Sequence, residues 1–220
     1  NIKVDRVMTN GSANVDLIDM FNIKTSNHKL NYVLNMAYNK TNVRSFVFVP
    51  AFIQSTTNYL AKSNEFLLQE NQQYTNMLIE NTLNYDGNIG RNHFNAVIGQ
   101  TFEHDLYHLL SGRGNSFPEP YYLQLSNAAD RISDSYENEH LIASFLGRLN
   151  YDFDQKYYIS LLGRYDGSSR LAPGNRWELF PSFSAGWRLD REKFFPIPKN
   201  IVNLLKIRGS YGVLGNENIG

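Results

Sequence analysis

The chain has 220 residues, and Lys+Arg and Asp+Glu are both 21, so its formal net charge is zero. That balance argues against a nucleic-acid partner, whose phosphates call for a basic face, and the lack of cysteine excludes disulfide scaffolds, Cys-ligated metals and thiol nucleophiles. Mean hydropathy is −0.42, and the longest apolar run, Phe46 to Ile53, holds Pro50 and falls well short of the ~20 residues a spanning helix needs.

Aromatics make up 14% of the chain, and 27 residues are Asn, a turn former that is poor in helices. The sequence opens on Asn1 with no initiator methionine or signal peptide and stops after Gly220, so it is expected to be a piece of a longer protein.

The first half of the chain gives mixed signals. Val15 to Phe21 suggests a weak strand, and Leu30, Tyr32, Leu34, Met36 and Tyr38 alternate with polar neighbours in a clearer one. Met77, Ile79, Leu83 and Tyr85 continue the pattern, although Asn81 interrupts its apolar side. A rival reading makes Tyr59 to Ile79 a helix, because Leu60, Phe66, Leu67 and Leu68 do not alternate. Strand assignment before about residue 70 therefore stays open. Asp86-Gly87-Asn88 reads as a turn ahead of a strand starting at Phe94, and Asp105 to Glu139 as a long polar loop with a helical turn near Ala128 to Ile132.

The second half alternates strictly. From Leu141 to Phe153 the odd positions are Leu, Ala, Phe, Gly, Leu, Tyr and Phe. The pattern returns over Tyr157–Tyr165, Trp177–Leu189 and Leu205–Val213. None of these odd positions is charged, whereas the even ones include Arg148, Asp152, Arg164, Glu178, Arg188, Lys206 and Arg208. Such strands run about 10–14 residues against an ordinary five or six, which favours a transmembrane barrel over a soluble sandwich.

Trp177 and Trp187 lie ten residues apart on one predicted strand, roughly 25 Å of height at about 40° of tilt. That matches the apolar band of an outer-membrane barrel. Tyr151, Phe153 and Tyr157 would join Trp187 at one membrane interface, with Tyr165 near Trp177 at the other. Arg148, Arg164, Arg188, Lys206 and Arg208 would face a wet lumen.

Parity of the flanking strands predicts a three-residue turn at Asp154-Gln155-Lys156 that pairs Phe153 with Tyr157 and puts Lys156 in the left-handed region. The same register sets Arg148 opposite Leu162 and Arg164 opposite Leu146. Pro181 falls mid-strand and cannot donate to a ladder, so a bulge or broken bond is expected there.

The segment Arg164-Tyr-Asp-Gly-Ser-Ser-Arg-Leu-Ala-Pro-Gly-Asn-Arg-Trp-Glu-Leu-Phe-Pro-Ser-Phe-Ser-Ala-Gly-Trp-Arg188 resembles the SusC/RagA class of TonB-linked outer-membrane proteins. Leu146-Gly-Arg-Leu-Asn-Tyr151 and Lys206-Ile-Arg-Gly-Ser-Tyr-Gly-Val-Leu-Gly-Asn-Glu-Asn-Ile-Gly220 also resemble that class. Leu171 stands where the family pattern has Phe, and Gly209 where it has Ala. The likeness is dense from Glu139 to Gly220 and thinner from Met77 to Phe117.

The resemblance implies an all-β fold, an antiparallel transmembrane barrel of about 22 strands around a plug, with long extracellular loops and mostly short periplasmic turns. Residues 1–220 would be a mid-barrel portion, open at both ends, without the plug, TonB box or signal peptide. It further implies a protein of the bacterial outer membrane, surrounded by its lipid, that imports oligosaccharides or peptides, is energised by the TonB complex and works with a SusD-like lipoprotein. For lumen-facing Arg148 and Arg164 two readings stay open: they meet acidic groups on the plug, or they are hydrated wall residues. Tyr121, Tyr122, Asp166, Asn175 and Arg176 in the predicted extracellular loops are the candidate substrate contacts.

No catalytic residue, metal site or cofactor is assigned. His104 and His108 have helical metal spacing but lie at a strand end without H-E-x-x-H. Asp130, Asp134, Glu137 and Glu139 could supply an acid/base pair, yet carboxylates in a polar segment are usually just solvated. Gly212, Gly215 and Gly220 lack nucleotide-loop spacing. A passive porin or adhesin barrel and a soluble carbohydrate-binding β-sandwich remain as alternative functions.

Overall fold

The computed structural model describes residues 1–25, 27–56, 59–63, 65–118, 122–198 and 201–216, with backbone alone for 52–63. It is almost wholly antiparallel sheet. The strands are β1 (Ile2–Asp16), β2 (His28–Val49), β3 (Phe52–Thr56), β4 (Tyr59–Ser63), β5 (Phe66–Ile89), β6 (Asn92–Asn115), β7 (Asp130–Phe153), β8 (Tyr157–Ser168), β9 (Trp177–Arg188) and β10 (Lys206–Gly212). Eight form one open sheet in the order β1-β2-β5-β6-β7-β8-β9-β10, and β3 pairs with β4.

Several expectations need correction. Residues 2–16 are a strand and the weak strand of Val15–Phe21 is not: a one-turn helix, α1 (Leu17–Met20), follows, capped by the Asp16 carboxylate on the Ile18 and Asp19 amides. Tyr59–Ile79 is not a helix but β4 and most of β5. The polar segment 105–139 is mostly strand, since β6 runs to Asn115 and β7 starts at Asp130, and its short 3₁₀ turn sits at Leu125–Asn127. The turn between β5 and β6 is at Gly90-Arg91, four residues later than Asp86, and Gly90 takes φ +62.

The chain divides into two compact units, residues 1–9, 38–77 and 104–139 in one and 10–37, 78–103 and 140–220 in the other. The first is cross-linked by polar side chains. Asn39 donates to Asn76 at 3.4 Å and Asn76 to Asp105 at 2.7 Å. Ser45 donates to Glu70, Arg44 pairs with Asp5, and the Tyr74, Tyr107 and Tyr136 rings form a row. Its 3₁₀ turn lies directly on β6, because a Cβ at Gly112 would meet Leu125 at 2.6 Å and one at Gly114 would meet Ala128 at 2.6 Å.

In the second unit the alternation of residues 141–213 becomes an unbroken ladder. Phe153 pairs with Tyr157, Arg148 with Leu162 and Arg164 with Leu146, as parity requires. The β8–β9 register runs without a slip from Tyr157↔Trp187 to Gly167↔Trp177.

The expected bulge at Pro181 is therefore absent. Gly163↔Pro181 stays in register, and the Pro181 carbonyl accepts from Val213 N at 3.0 Å. A residue's N–H and C=O point to the same neighbour in an antiparallel ladder, so the missing donor faces β10, whose strand ends at Gly212. The β8–β9 ladder loses nothing.

The tight turn also differs in detail. Asp154 and Gln155, each at φ 55, take the left-handed region, and Lys156 does not. Two bonds offset the strain on these non-glycine residues: Asp154 N donates to Arg91 O at 2.8 Å and Gln155 N to Asp152 Oδ1 at 3.2 Å.

Candidate functional site

On β7–β9 the odd-numbered side chains form a face that the fold leaves open. Phe145, Leu149, Ile159, Leu161, Leu179 and Phe183 are all exposed, a contiguous apolar surface of the kind that needs a non-aqueous cover. The six predicted interface aromatics collect at its two ends. At one end Phe153 stacks on Tyr157 and Tyr157 on Trp187 (centroids 6.5 and 6.4 Å), and Tyr151 packs beside Phe94 at 5.1 Å. At the other Tyr165 and Phe145 stack on Trp177 at 5.0 and 6.1 Å. The Trp177 ring lies across Gly167, where a Cβ would sit 2.5 Å from it.

Two asparagines on this side of the sheet are capped by tyrosine hydroxyls. Tyr32 donates to Asn81 at 2.6 Å, and Tyr151 donates to Asn92 at 2.7 Å. Asn81, which interrupts the alternation in sequence, is thus a satisfied amide.

The even face carries a hydrogen-bonded network. His93 Nδ1 lies 2.8 Å from Asp152 and Nε2 lies 3.0 Å from Asp86. Asn150 donates to Asn95 at 3.1 Å and Ser160 to Asn150 at 2.6 Å, so the chain of bonds crosses from β6 to β8. Nothing in the sequence marks Asp86–His93–Asp152, because the trio depends on the register between strands some sixty residues apart.

The predicted basic residues have different fates here. Arg164 donates from Nε to Asp166 at 2.7 Å and from Nη2 to Ser144 at 3.2 Å. Arg188 holds Asp190 with two bonds, 3.0 and 2.5 Å, and Lys206 sits 3.5 Å above the Tyr158 ring, a contact that Gly186 leaves room for. Arg148 and Arg208 are exposed, and among the described residues neither has an acidic partner.

The end of the sheet holding the tight turn is tied by acidic groups outside the strands. Glu192 accepts from Tyr157 Oη at 2.6 Å and Trp187 Nε1 at 3.1 Å, which lowers its carboxyl below the usual value, Tyr157 first. Arg91 pairs with Asp154 and depresses it likewise. The buried Asp190 accepts from Arg188 and from Leu205 N at 3.1 Å, and its pKa falls to about 2, with the Arg188 bond as the main cause.

The substrate candidates are only partly gathered. Asp166 is not a loop residue: it lies in β8, opposite Ser144 and Glu178. It shares a cleft with Arg176 and Glu178, while Asn175 turns back to Ala172 through its amide. Tyr122 is exposed in the connection before the 3₁₀ turn, and Tyr121 lies outside the described residues. His104 and His108 both sit on β6, where four residues span about 13 Å, too far for one ion, and His104 Nε2 instead lies 2.8 Å from Glu139. Asp130 and Asp134 alternate with Glu137 and Glu139 along β7, which puts the two pairs on opposite faces.

No protein-family model matches the chain. Among curated proteins it is 32% identical over 136 residues to TonB-dependent receptor SusC of Bacteroides thetaiotaomicron, covering 62% of this chain and 13% of that protein. It is 36% identical over 145 residues to TonB-dependent receptor P26 of Formosa agariphila, covering 64% and 14%. Its curated homologues are TonB-dependent receptors.

The fold agrees. The structure of the RagAB peptide transporter superposes with a TM-score of 0.74 at 19% identity, over 100% of this chain and 23% of that one. The open-open state of the RagAB peptide importer gives 0.76 at 21%, with the same coverage. This is the open-sheet, barrel-segment architecture expected from the SusC/RagA resemblance, and those relatives are named as receptors and importers, not enzymes. The chain spans between 13% and 15% of the length of the curated relatives it matches.

Proposed function

We propose that residues 1–220 are a mid-barrel portion of an outer-membrane importer, driven through TonB, that takes up oligosaccharides or peptides together with a SusD-like lipoprotein. The observation carrying this reading is the odd face of residues 141–187, uncharged and bounded at each end by stacked aromatics. Lipid explains both the exposure of that face and its aromatic borders. With no water in the bilayer core every backbone edge must be paired, so the open edges of β1 and β10 would be closed by further strands. A plug, a TonB box and a signal peptide belong to the remainder of such a protein.

On this reading the six aromatics, Tyr151, Phe153, Tyr157, Tyr165, Trp177 and Trp187, lie at the membrane interfaces, and Arg148, Arg164, Arg188, Lys206 and Arg208 line the lumen. Asp166, Asn175 and Arg176 are the residues at which substrate contacts would first be sought, and Tyr121 and Tyr122 are separate candidates from the sequence.

Deleting the gene for the full-length protein should abolish growth on one class of purified oligosaccharide or peptide, and deleting TonB should abolish uptake equally. Uptake that survives without TonB would mean a passive porin. Recovery of the full-length protein from the soluble fraction would mean a soluble sandwich.

A further inference from the structure

Both ring nitrogens of His93 face carboxylates, Nδ1 at 2.8 Å from Asp152 on β7 and Nε2 at 3.0 Å from Asp86 on β5. An ionised carboxylate only accepts hydrogen bonds, so both contacts are bonds only while each nitrogen carries a proton. The arrangement is complete for the imidazolium alone, a cation on β6 shared by anions on the strands to either side.

The two anions are held differently. Asp152 uses its second oxygen, Oδ1, to accept from Gln155 N at 3.2 Å, and its side chain is 16% exposed. Asp86 is 46% exposed, and among the described residues its other bond is a 3.4 Å contact from Asn95 Nδ2.

The surrounding charges are engaged elsewhere. Towards the turns, Arg91 pairs with Asp154, and Arg191 donates to the Asp154 carbonyl at 3.5 Å. Towards β8 and β10, Lys206 lies over the Tyr158 ring, and Arg208 lines the same cleft as His93. Among the described residues no Lys or Arg pairs with Asp86 or Asp152, so His93 is the cation that neutralises both.

We propose that His93 is a proton-operated latch with one fixed side and one free side. Carrying both ring protons, it ties β5 to β7 across β6. When the ring gives one proton to solvent, the remaining N–H stays with pinned Asp152. Nε2 then turns a lone pair toward Asp86, which swings into water. The link is complete below about pH 6.5, where an ordinary imidazole is charged, and disappears at alkaline pH once the second proton leaves. Opening loosens the β5 side and leaves the β7 side closed. The latch belongs to the sheet itself and does not depend on what the protein transports.

The test is ring ¹⁵N NMR of the full-length, ¹⁵N-histidine-labelled protein in lipid vesicles. The His93 signal is the one lost in His93→Gln; if that variant does not fold, the signal displaced by Asp86→Asn identifies the ring. At about pH 7.5, where an unpartnered imidazole is about nine-tenths neutral, both nitrogens should be protonated. Raising the pH until the ring deprotonates should give the Nδ1–H form. Over the same step, amide hydrogen exchange at Asp86 and Gly87 should rise about threefold more than at Tyr151 and Asp152, as expected for loss of one exposed bond. Asp86→Asn should abolish that difference between the two sides. A ring already neutral at about pH 7.5, deprotonation to the Nε2–H form, or equal exchange on both sides overturns the proposal.

Discussion

The two faces of the β7–β9 sheet share one backbone and one register yet solve opposite problems. Over residues 141–187 the odd face holds no charge and leaves Phe145, Leu161, Leu179 and Phe183 exposed. The even face gathers acids, bases and amides and neutralises most of them internally: Arg164 with Asp166, Asn150 with Asn95, His93 with two aspartates. A one-residue slip would exchange the faces wholesale. The exclusion of charge from one side therefore fixes the register more firmly than any single hydrogen bond.

The sharpest way to break that difference is a charge on the wrong side. In the full-length barrel, Phe183→Arg should destabilise by about 2–4 kcal/mol, the cost of an arginine near the bilayer midplane. Ser184→Arg, one residue on, should stay within about 0.5 kcal/mol, as surface substitutions usually do. Denaturant unfolding of the two variants in lipid vesicles measures both. Equal costs would mean that lipid does not cover the odd face.

A smaller effect separates two glycines of that same face. Beside Gly147 there is open space, whereas a Cβ on Gly167 would sit 2.5 Å from the Trp177 ring. Gly167→Val should displace the ring and cost about 1–3 kcal/mol by overpacking, visible as a change in tryptophan fluorescence together with a lowered unfolding midpoint. Gly147→Ala should be close to neutral by the same assay.

How much of this was legible in sequence follows from the solvent each strand meets. On the importer reading residues 141–189 alternate because one side would face lipid, and the pairing of Phe153 with Tyr157 followed from parity alone. β5 and β6 have 24 residues each, against the about 10 that cross the apolar band of an outer-membrane barrel. On the same reading the parts of a strand beyond that band would have water on both sides and nothing to enforce alternation, so Asp105 to Asn115 and Asp130 to Glu139 have the composition of a loop. The capping of Asn81 by Tyr32 and the Asp86–His93–Asp152 trio were illegible for another reason. Each depends on which residues of distant strands fall side by side, and no local pattern encodes that.

The tyrosine caps give the next prediction. Tyr32→Phe should leave the Asn81 amide unsatisfied on the apolar face and cost about 1–3 kcal/mol. Adding Asn81→Leu should restore most of the loss, since replacing both partners with apolar groups removes the unmet polar atom. Failure of the double variant to recover would mean that the hydroxyl does more than cap the amide.

The smallest effect is the one pH should have near neutrality. Asp190 titrates at about 2 in the fold against an ordinary 3.8, chiefly because of Arg188, and Asp154 and Glu192 are shifted the same way by Arg91 and by Tyr157. Carboxyls depressed by folding contribute stability that is complete above their unfolded values and disappears as pH falls through the folded ones. These three should therefore add no pH dependence between pH 8 and about 5. Their contribution should decline from about pH 4 toward pH 2, where the connection from Leu189 to Leu205 loosens as Asp190 releases Arg188 and the Leu205 amide. Acid unfolding of the intact barrel compared with Asp190→Asn reads this directly. The wild type should lose stability faster over that interval, because the variant has no proton to take up at this site, and parallel curves would mean that the carboxylate contributes nothing there.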